Sequence, residues 1–216
     1  MRSEIAVPPD GPFFEGHFPG RPILPGVVEL ALVAAAVAPG GSADEVSAIP
    51  HTRFRGLVLP SDRLDLSAAP RDDGGVRFEV RRAGGLVANG ALAFGAIPAD
   101  GRAPSAVAVG RKAACPPIHE LIPHRPPMLF VDRILGEADD GATCLGRVPP
   151  AFALVRSGAV PALVALEVVA QTAAVWEALR RSRESGRPSP RVGYLVSVKD
   201  VVLHRRTIEA GAELIA

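Results

Sequence analysis

The 216-residue sequence contains few cysteines and almost no net charge. Its two cysteines, Cys115 and Cys144, make no disulfide framework, and their surroundings show no zinc-ligand spacing. With 24 basic and 23 acidic residues, the formal net charge is +1. No global charge therefore attracts nucleic acid or an anionic membrane. These scarcities argue against a disulfide-stapled domain, a cysteine-based zinc module and a strongly basic nucleic-acid binder.

Signals for targeting to a membrane are also missing. The opening residues MRSEIAVPPD contain no apolar core of a signal peptide. The longest nearly uncharged apolar run covers residues 159–176, but Glu167 and Gln171 lie in its middle. A carboxyl and an amide at that place favour a buried helix of a soluble protein over a membrane span. We therefore expect a cytoplasmic protein with no membrane and no nucleic-acid partner.

An irregular loop followed by an apolar helix stands out near the N-terminus. Residues 13–30 read FFEGHFPGRPILPGVVEL, with His17 as the one histidine and with prolines and glycines that fix the loop. The Pro25-Gly26 step favours a helix start. A histidine placed just before a helix lies beside free backbone N–H groups and the positive end of the helix dipole. That arrangement suits a base acting next to a carbonyl that must be polarised.

Alternation of polar and apolar residues predicts several strands around two long helices. Turn signals rich in Asp, Gly and Pro separate these segments. The first half predicts a helix over 25–37 and strands over 51–59, 63–68, 76–82 and 85–94. The second half predicts a strand over 142–148 and a helix over 161–181. This pattern indicates an α+β fold.

The chain divides into two related units. Small and polar residues predict a linker over 99–114, between one unit at 1–98 and another at 115–216. Residues 193–214 correspond weakly to 48–64, which indicates an internal repeat. Strand patterns follow 48–64 in the first unit, whereas the sequence stops at Ala216 in the second. We expect the second unit to lack its last strands, through truncation or because another chain or segment completes the sheet, whose exposed edge would favour association.

Two segments resemble one enzyme family. FFEGHFPGRPILPGV at 13–27 carries the whole FF-x-GHFP-x-x-P-x-x-PGV pattern of the active-site segment of the 3-hydroxyacyl-[acyl-carrier-protein] dehydratases. IHELIPHRPPMLFVDRI at 118–134 resembles the N-terminal PHR-P-P-x-L-x-V-D segment of the same family. The resemblance implies a double hotdog fold of class α+β, in which antiparallel sheets wrap round a long central helix in each unit.

The same resemblance assigns the acid–base pair of a dehydratase. In the family the GHFP histidine is the base, the acid lies fourteen residues later on the helix, and dimers pair the two across subunits. The first unit keeps His17 but has Ala31 at the acid position. The second unit carries Glu167 and Gln171 in the acid-plus-glutamine pattern but has Ala153 at the histidine position. These losses are complementary, so units paired as in the family dimer would form one composite site.

The residues themselves suit these roles. Dehydration removes a proton from Cα and water from Cβ, which requires a base, an acid and donors to an enolate-like oxygen. Glu167 is the one charge in its apolar run, so burial should raise its pKa and keep it protonated. The positive helix end should keep His17 neutral. We expect four further residues to contact the substrate or orient these groups: Gly26, Val27, Phe18 and Gln171.

Structural roles remain the alternative for several residues. His17 could simply bond backbone within its loop, and Glu167 could be a paired core carboxylate. Glu29 lies two residues before the acid position, about 200° round the helix, so we expect it to face elsewhere and stabilise the dipole. His119 and His124 lack metal-ligand spacing and are expected to pack the entry segment of their unit.

The predicted function is dehydration of a 3-hydroxyacyl chain on an acyl carrier protein, giving the trans-2-enoyl thioester and water. The substrate's thioester acidifies Cα, so no metal or redox cofactor is expected. A narrower resemblance is to the paired hotdog dehydratases of aryl polyene gene clusters, here fused. Two alternatives stay open: an acyl-thioester hydrolase, since hotdog folds host both chemistries, and a non-catalytic partner of a dehydratase. Besides the carrier protein, we consider a second copy or another hotdog chain as a partner.

Overall fold

The structure is a computed structural model that describes residues 1–97, 115–187 and 190–216. The predicted linker at 99–114 lies outside the described residues. The first unit contains β1 (Arg2–Ala6), α1 (Gly26–Val37), β2 (Val46–Phe54), β3 (Arg63–Pro70), β4 (Val76–Arg82) and β5 (Gly85–Phe94). The second contains α2 (Ile118–Leu121), β6 (Val131–Ala138), β7 (Gly141–Arg147), β8 (Ala159–Pro161), α3 (Ala165–Ser185), β9 (Ser197–Val202), β10 (Thr207–Glu209) and β11 (Glu213–Ile215).

The largest sheet joins the two units. Its six antiparallel strands follow the order β1-β3-β4-β5-β2-β9, so one strand of the second unit completes the sheet of the first. In the β2–β9 pair, Ile49 lies opposite Val201 and Thr52 opposite Val198. These two strands follow the two long helices of the chain. Antiparallel pairing of equivalent strands is the arrangement that a two-fold axis produces, here between two halves of one chain.

The second unit has a smaller set of strands. They form a three-stranded sheet of order β11-β7-β6 and a two-stranded sheet of β10 and β8. In the first unit, β4 and β5 stand between β3 and β2. The described part of the second unit has no strand between β11 and β9. Within the described residues, the second unit therefore has no counterparts of β4 and β5.

The two long helices run through the interior. Apart from Glu29, helix α1 is apolar on every side, and all of its residues are buried or half-buried, as expected for a helix wrapped by a sheet. Helix α3 buries Val168, Val175 and Leu179 and ends in a charged turn before Gly186, whose φ is +75°. By length and composition alone, the segment Ala162–Ser185 could cross a membrane, but 56% of its most apolar window is buried inside the fold. This burial matches the expected core helix.

Strand β2 differs from its prediction. It begins at Val46 and ends at Phe54, whereas the alternation predicted 51–59. A capped 3₁₀ turn over Ala43–Glu45 precedes it, in which the Glu45 carboxylate accepts a hydrogen bond from the Ser42 N–H at 3.2 Å. Because this capping box fixes the turn, the chain enters the extended conformation earlier than alternation alone indicated.

The residues after β2 leave the sheet. The N–H groups of Arg55 and Gly56 both bond to the carbonyl of Val87, at 2.7 and 3.1 Å, so the regular ladder ends there. The Val58 carbonyl then accepts a hydrogen bond from the N–H of Leu24 at 2.8 Å. These bonds place residues 55–58 beside the loop that precedes α1. That segment becomes one wall of the cavity described below.

Candidate active site

His17 is held by reciprocal hydrogen bonds within its loop. Its Nδ1 lies 2.9 Å from the carbonyl oxygen of Ile23, and the Ile23 N–H donates to the His17 carbonyl, also at 2.9 Å. Phe18 and Arg21 close the turn between them with a second reciprocal pair. A carbonyl oxygen can only accept, so Nδ1 carries the ring hydrogen. The other ring nitrogen, Nε2, therefore keeps its lone pair.

The loop is docked on the second unit through Gly16. The Arg125 N–H donates to the Gly16 carbonyl at 3.0 Å. Gly16 has a φ of +79°, and a Cβ there would lie 1.9 Å from the Arg125 carbonyl oxygen. Only glycine accommodates both this backbone conformation and this approach. The two segments that carried the family resemblance are thus in direct contact.

Glu167 lies in the first turn of α3 and is fixed by Gln171, one turn later. The Gln171 Nε2 donates to Glu167 Oε1 at 2.9 Å and to the Met128 carbonyl at 2.7 Å. The Gln171 Oε1 accepts from the N–H groups of Phe130 and Val131, at 2.9 and 3.2 Å. These backbone partners fix the orientation of the amide. A protonated Glu167 then has Oε1 as its carbonyl oxygen and can carry its acidic hydrogen on Oε2.

His17, Glu167 and His124 form the acid–base cluster. One nitrogen or oxygen atom from each side chain lies within 4.8 Å of the other two, and all three residues are buried. The His124 Nε2 is 3.5 Å from Glu167 Oε1. The His124 Nδ1 is buried and has no hydrogen-bond partner in the described chain. The cluster combines one residue of the first unit with two of the second.

Burial shifts the pKa values in this cluster in opposite directions. It raises the pKa of Glu167 from its ordinary 4.5 to about 7, against the opposing effect of the Gln171 hydrogen bond. It lowers the pKa of His17, although hydrogen bonds to backbone oppose the shift. Burial, followed by the charges of His17 and Arg125, lowers the pKa of His124 to about 3. Near neutral pH both histidines are therefore neutral, and a large fraction of Glu167 is protonated.

The cluster opens into a cavity of about 510 Å³ between α3 and the segment after β2. Apolar side chains and the small Ala170, Ala173 and Ala174 of α3 form much of its lining. Several lining residues are buried, including Ile23, Leu24, Val27 and Val58. Others are exposed, including Arg55, Arg191 and Tyr194. The cavity therefore reaches solvent at its exposed residues, which form its mouth, and is largely apolar at its buried residues, which form its inner part, so it can admit a chain.

The predicted substrate residues are placed differently from one another. Gly26 and Val27 line the cavity at the start of α1. The first helix bonds to Pro25 come from the N–H groups of Val28 and Glu29, and no described residue accepts from the N–H groups of Gly26 and Val27.

Phe18 and Gln171, by contrast, are not among the residues that line the cavity. The Phe18 ring packs on His17, with ring centroids 4.1 Å apart, and edge-on against His124 at 4.9 Å. Gln171 is wholly buried and donates a hydrogen bond to the Glu167 carboxyl without lining the cavity itself. Both residues therefore position the cluster in this structure.

Sequence reasoning missed two residues of the site. Glu29 was expected to face away from it, yet it lines the same cavity as His17 and Glu167. The reason is that Glu29 and Gly26 lie on one face of α1, three residues apart, and the cavity extends over that face. His124 was expected only to pack its entry segment, and the structure brings it into the cluster. The PHR motif was the signal in the sequence, but its spacing from Glu167 gave no hint of contact.

Solved dehydratase structures share the fold over most of the chain. The dehydratase domain of RzxB from Pseudomonas fluorescens matches with a TM-score of 0.68 and 13% identity, covering 99% of this chain and 80% of that chain. The dehydratase domain of PpsC from Mycobacterium tuberculosis, in complex with C12:1-CoA, matches with a TM-score of 0.61 and 16% identity, covering 92% and 75%. These likenesses confirm the predicted hotdog fold.

Curated relatives share part of the sequence. The 3-hydroxyacyl-[acyl-carrier-protein] dehydratase FabZ of Geobacter metallireducens is 43% identical over 68 residues, 27% of this chain and 45% of that protein. The FabZ of Myxococcus xanthus is 42% identical over 65 residues, 26% of this chain and 42% of that protein. The chain thus spans less than half the length of these relatives.

Two family models divide the chain between them. Residues 1–91 match the ApeI-like model, ApeI dehydratase, and residues 116–216 match the ApeP-like model, ApeP dehydratase. The chain therefore belongs to the hotdog-fold dehydratases. More narrowly, it is a fused pair whose halves resemble the two aryl polyene dehydratases, ApeI and ApeP. The dehydratase heterocomplex ApeI:P from Xenorhabdus doucetiae also matches, at 24% identity and a TM-score of 0.37, covering 43% of this chain and 84% of that chain.

Proposed function

We propose that this chain dehydrates 3-hydroxyacyl thioesters on an acyl carrier protein to trans-2-enoyl thioesters, at one composite site that combines His17 and Glu167. The observation that carries the proposal is their meeting in one buried cluster from opposite units of the chain. Neither unit has both groups, since Ala31 and Ala153 stand at the other two positions. The pairing also argues against a non-catalytic partner, in which these groups would be far apart or blocked.

In the proposed reaction, each group has one task. The lone pair on His17 Nε2 takes a proton from Cα, and the electron pair left behind forms the Cα–Cβ double bond. Glu167 gives its proton to the hydroxyl on Cβ as the C–O bond breaks, releasing water. The protonated His17 then returns a proton to the Glu167 carboxylate, through the released water. Both groups are thereby reset, and one water is lost for each double bond formed.

The thioester oxygen gains negative charge during this step. The free N–H groups of Gly26 and Val27, at the positive end of α1, can donate hydrogen bonds to it. The thioester itself acidifies Cα, so no metal or redox cofactor enters the proposal. Arg55 and Arg191 at the cavity mouth give a positive rim for the phosphate of the phosphopantetheine arm and for an acidic carrier. The carrier protein is therefore the proposed partner.

The test is product analysis with the purified protein and a synthetic 3-hydroxyacyl carrier protein. Mass spectrometry should show loss of one water from the carrier-bound chain, and a thiol reagent should detect no free carrier thiol. Release of the thiol with a free acid would instead indicate the thioester hydrolase. An unchanged substrate, over several chain lengths and with folded protein, would overturn the proposal in favour of a non-catalytic partner.

A further inference from the structure

Glu29 is a buried carboxyl without a hydrogen-bond partner in the active-site cavity. Only 4% of the residue is exposed, and its Oε1 is buried with no partner in the described chain. It stands outside the acid–base cluster. Among the His, Cys, Asp and Glu side chains of the described residues, those of His17, His124 and Glu167 form the one group of three whose nitrogen and oxygen atoms lie within 4.8 Å of one another. The proposed dehydration uses His17 and Glu167 and gives Glu29 no task.

A buried carboxyl of this kind is costly unless something bonds to it. Transfer of a polar group out of water without a replacement hydrogen bond destabilises a fold, and native proteins leave few such groups. Stabilising the helix dipole does not require burial, since an exposed carboxylate in the first turn has the same effect. Apolar neighbours alone raise the pKa of Glu29 to about 7, which reflects the missing partner. A ligand in the cavity is the remaining source of a donor.

The position of Glu29 indicates which part of a ligand it meets. The carrier protein is far too large for the cavity, so the phosphopantetheine arm must enter through the exposed mouth at Arg55 and Arg191. The buried inner part, whose lining includes Leu24, Val58 and Glu29, is then left for the acyl chain. A plain alkyl chain would fill that part but leave the carboxyl without a partner.

We propose that Glu29 accepts a hydrogen bond from a hydroxyl group on the acyl chain, remote from C3, and makes the site selective for hydroxylated chains. This inference rests on the proposed function, because it takes an acyl thioester as the occupant. A neutral hydroxyl suits the site, since the arginines among the described lining residues, Arg55 and Arg191, are both exposed at the mouth. Glu29 is then a specificity-determining residue that touches the substrate but not its reacting atoms.

The test compares matched substrates with three variants. Carrier-bound 3-hydroxyacyl chains of several lengths are prepared in pairs, with and without a terminal hydroxyl. For at least one length, the wild type should give a kcat/KM about tenfold or more higher with the hydroxylated chain, because an alkyl chain leaves the carboxyl unpaired. Glu29→Leu should lose that preference, and Glu29→Gln should keep part of it. Glu15→Gln, on an exposed residue outside the cavity, is the control and should match the wild type.

Binding separates this inference from the proposed function. Calorimetry with trans-2-enoyl pantetheine thioesters, with and without the hydroxyl, measures the preference even if no turnover occurs. Absence of dehydration with a retained binding preference would reject the proposed function alone. Equal affinity for the hydroxylated and the plain thioester at every chain length would overturn the inference. An equal loss of affinity for both thioesters in Glu29→Leu would also overturn it, since Glu29 would then contact a part common to all substrates.

Stability of the free protein gives an independent check. Removing an unpartnered buried carboxyl should leave Glu29→Leu at least as stable as the wild type in thermal unfolding. A residue kept for the fold would behave in the opposite way. A clear fall in the melting temperature of Glu29→Leu, with Glu15→Gln unchanged, would contradict the assignment of Glu29 to substrate recognition.

Discussion

Burial sets the protonation states of His17 and Glu167, and one hydrogen bond to each side chain fixes which of its atoms carries the hydrogen. The Ile23 carbonyl fixes the hydrogen of His17 on Nδ1, and Gln171 fixes Oε1 of Glu167 as an acceptor. Desolvation lowers the pKa of the histidine and raises that of the carboxyl to about 7. A base that is neutral and an acid that is protonated at the same pH are what dehydration requires.

These shifts predict a bell-shaped pH profile of kcat/KM. Activity should fall at acid pH as His17 gains a proton, with a midpoint below its ordinary 6.5, and at alkaline pH as Glu167 loses its proton near pH 7. Gln171→Leu removes a hydrogen bond that lowers the pKa of Glu167, so the alkaline limb should move to higher pH. Stopped assays across pH with both proteins measure this. An alkaline limb that stays in place or moves to lower pH would contradict the assignment of Glu167 as the acid.

At the scale of elements, the site depends on a loop of one unit docked against a segment of the other. The reciprocal bonds between His17 and Ile23 form the loop, and the contact between Gly16 and Arg125 fixes its place. Helix α3 supplies Glu167. Its carboxyl is hydrogen-bonded to Gln171, which in turn accepts hydrogen bonds from the backbone at the start of β6. Neither unit alone would hold the base and the acid in register.

Gly16→Ala should therefore disrupt the site more than a similar change nearby. The positive φ alone costs about 1–3 kcal/mol in a residue with a side chain, and the added Cβ would also meet the Arg125 carbonyl. Gly20→Ala is the matched control, because Gly20 has a φ of +74° but open space around its Cβ position. Unfolding in urea and kcat/KM should both fall further for Gly16→Ala. Equal effects of the two variants would show that the docking contact has no role.

The sequence predicted the helices and strands better than it predicted which distant residues come into contact. Helix α1 and strands β4 and β5 were predicted from local signals, namely apolar runs, alternation and the turn or helix-start residues beside them, and the structure reproduces them almost residue for residue. The start of β2 was missed because a capping box, and not alternation, decides where it begins. His124 and Glu29 were missed for a different reason. Their places in the cavity depend on contacts between distant segments, and no spacing along the chain records those contacts.

At the scale of the whole molecule, the proposed site would combine, within one chain, groups that the two units supply separately. The β2–β9 pairing joins the two units into one sheet, as a two-fold interface would. Under the proposed function, each unit can lack one catalytic group, because the composite site would retain both. The pseudo-symmetric position, with Ala31 and Ala153, lacks both groups. The molecule is therefore predicted to have one active site per chain.

The most direct measurement is kcat/KM for His17→Ala and Glu167→Gln, each alone and after the two proteins are refolded together. Each variant should lose at least about a hundredfold in activity, because dehydration needs both the base and the acid. The mixture should remain as inactive as its components, since both groups of a site belong to one chain. Retention of activity within about threefold by either variant would contradict the catalytic roles. Recovery in the mixture would show that the site forms between two chains and not within one.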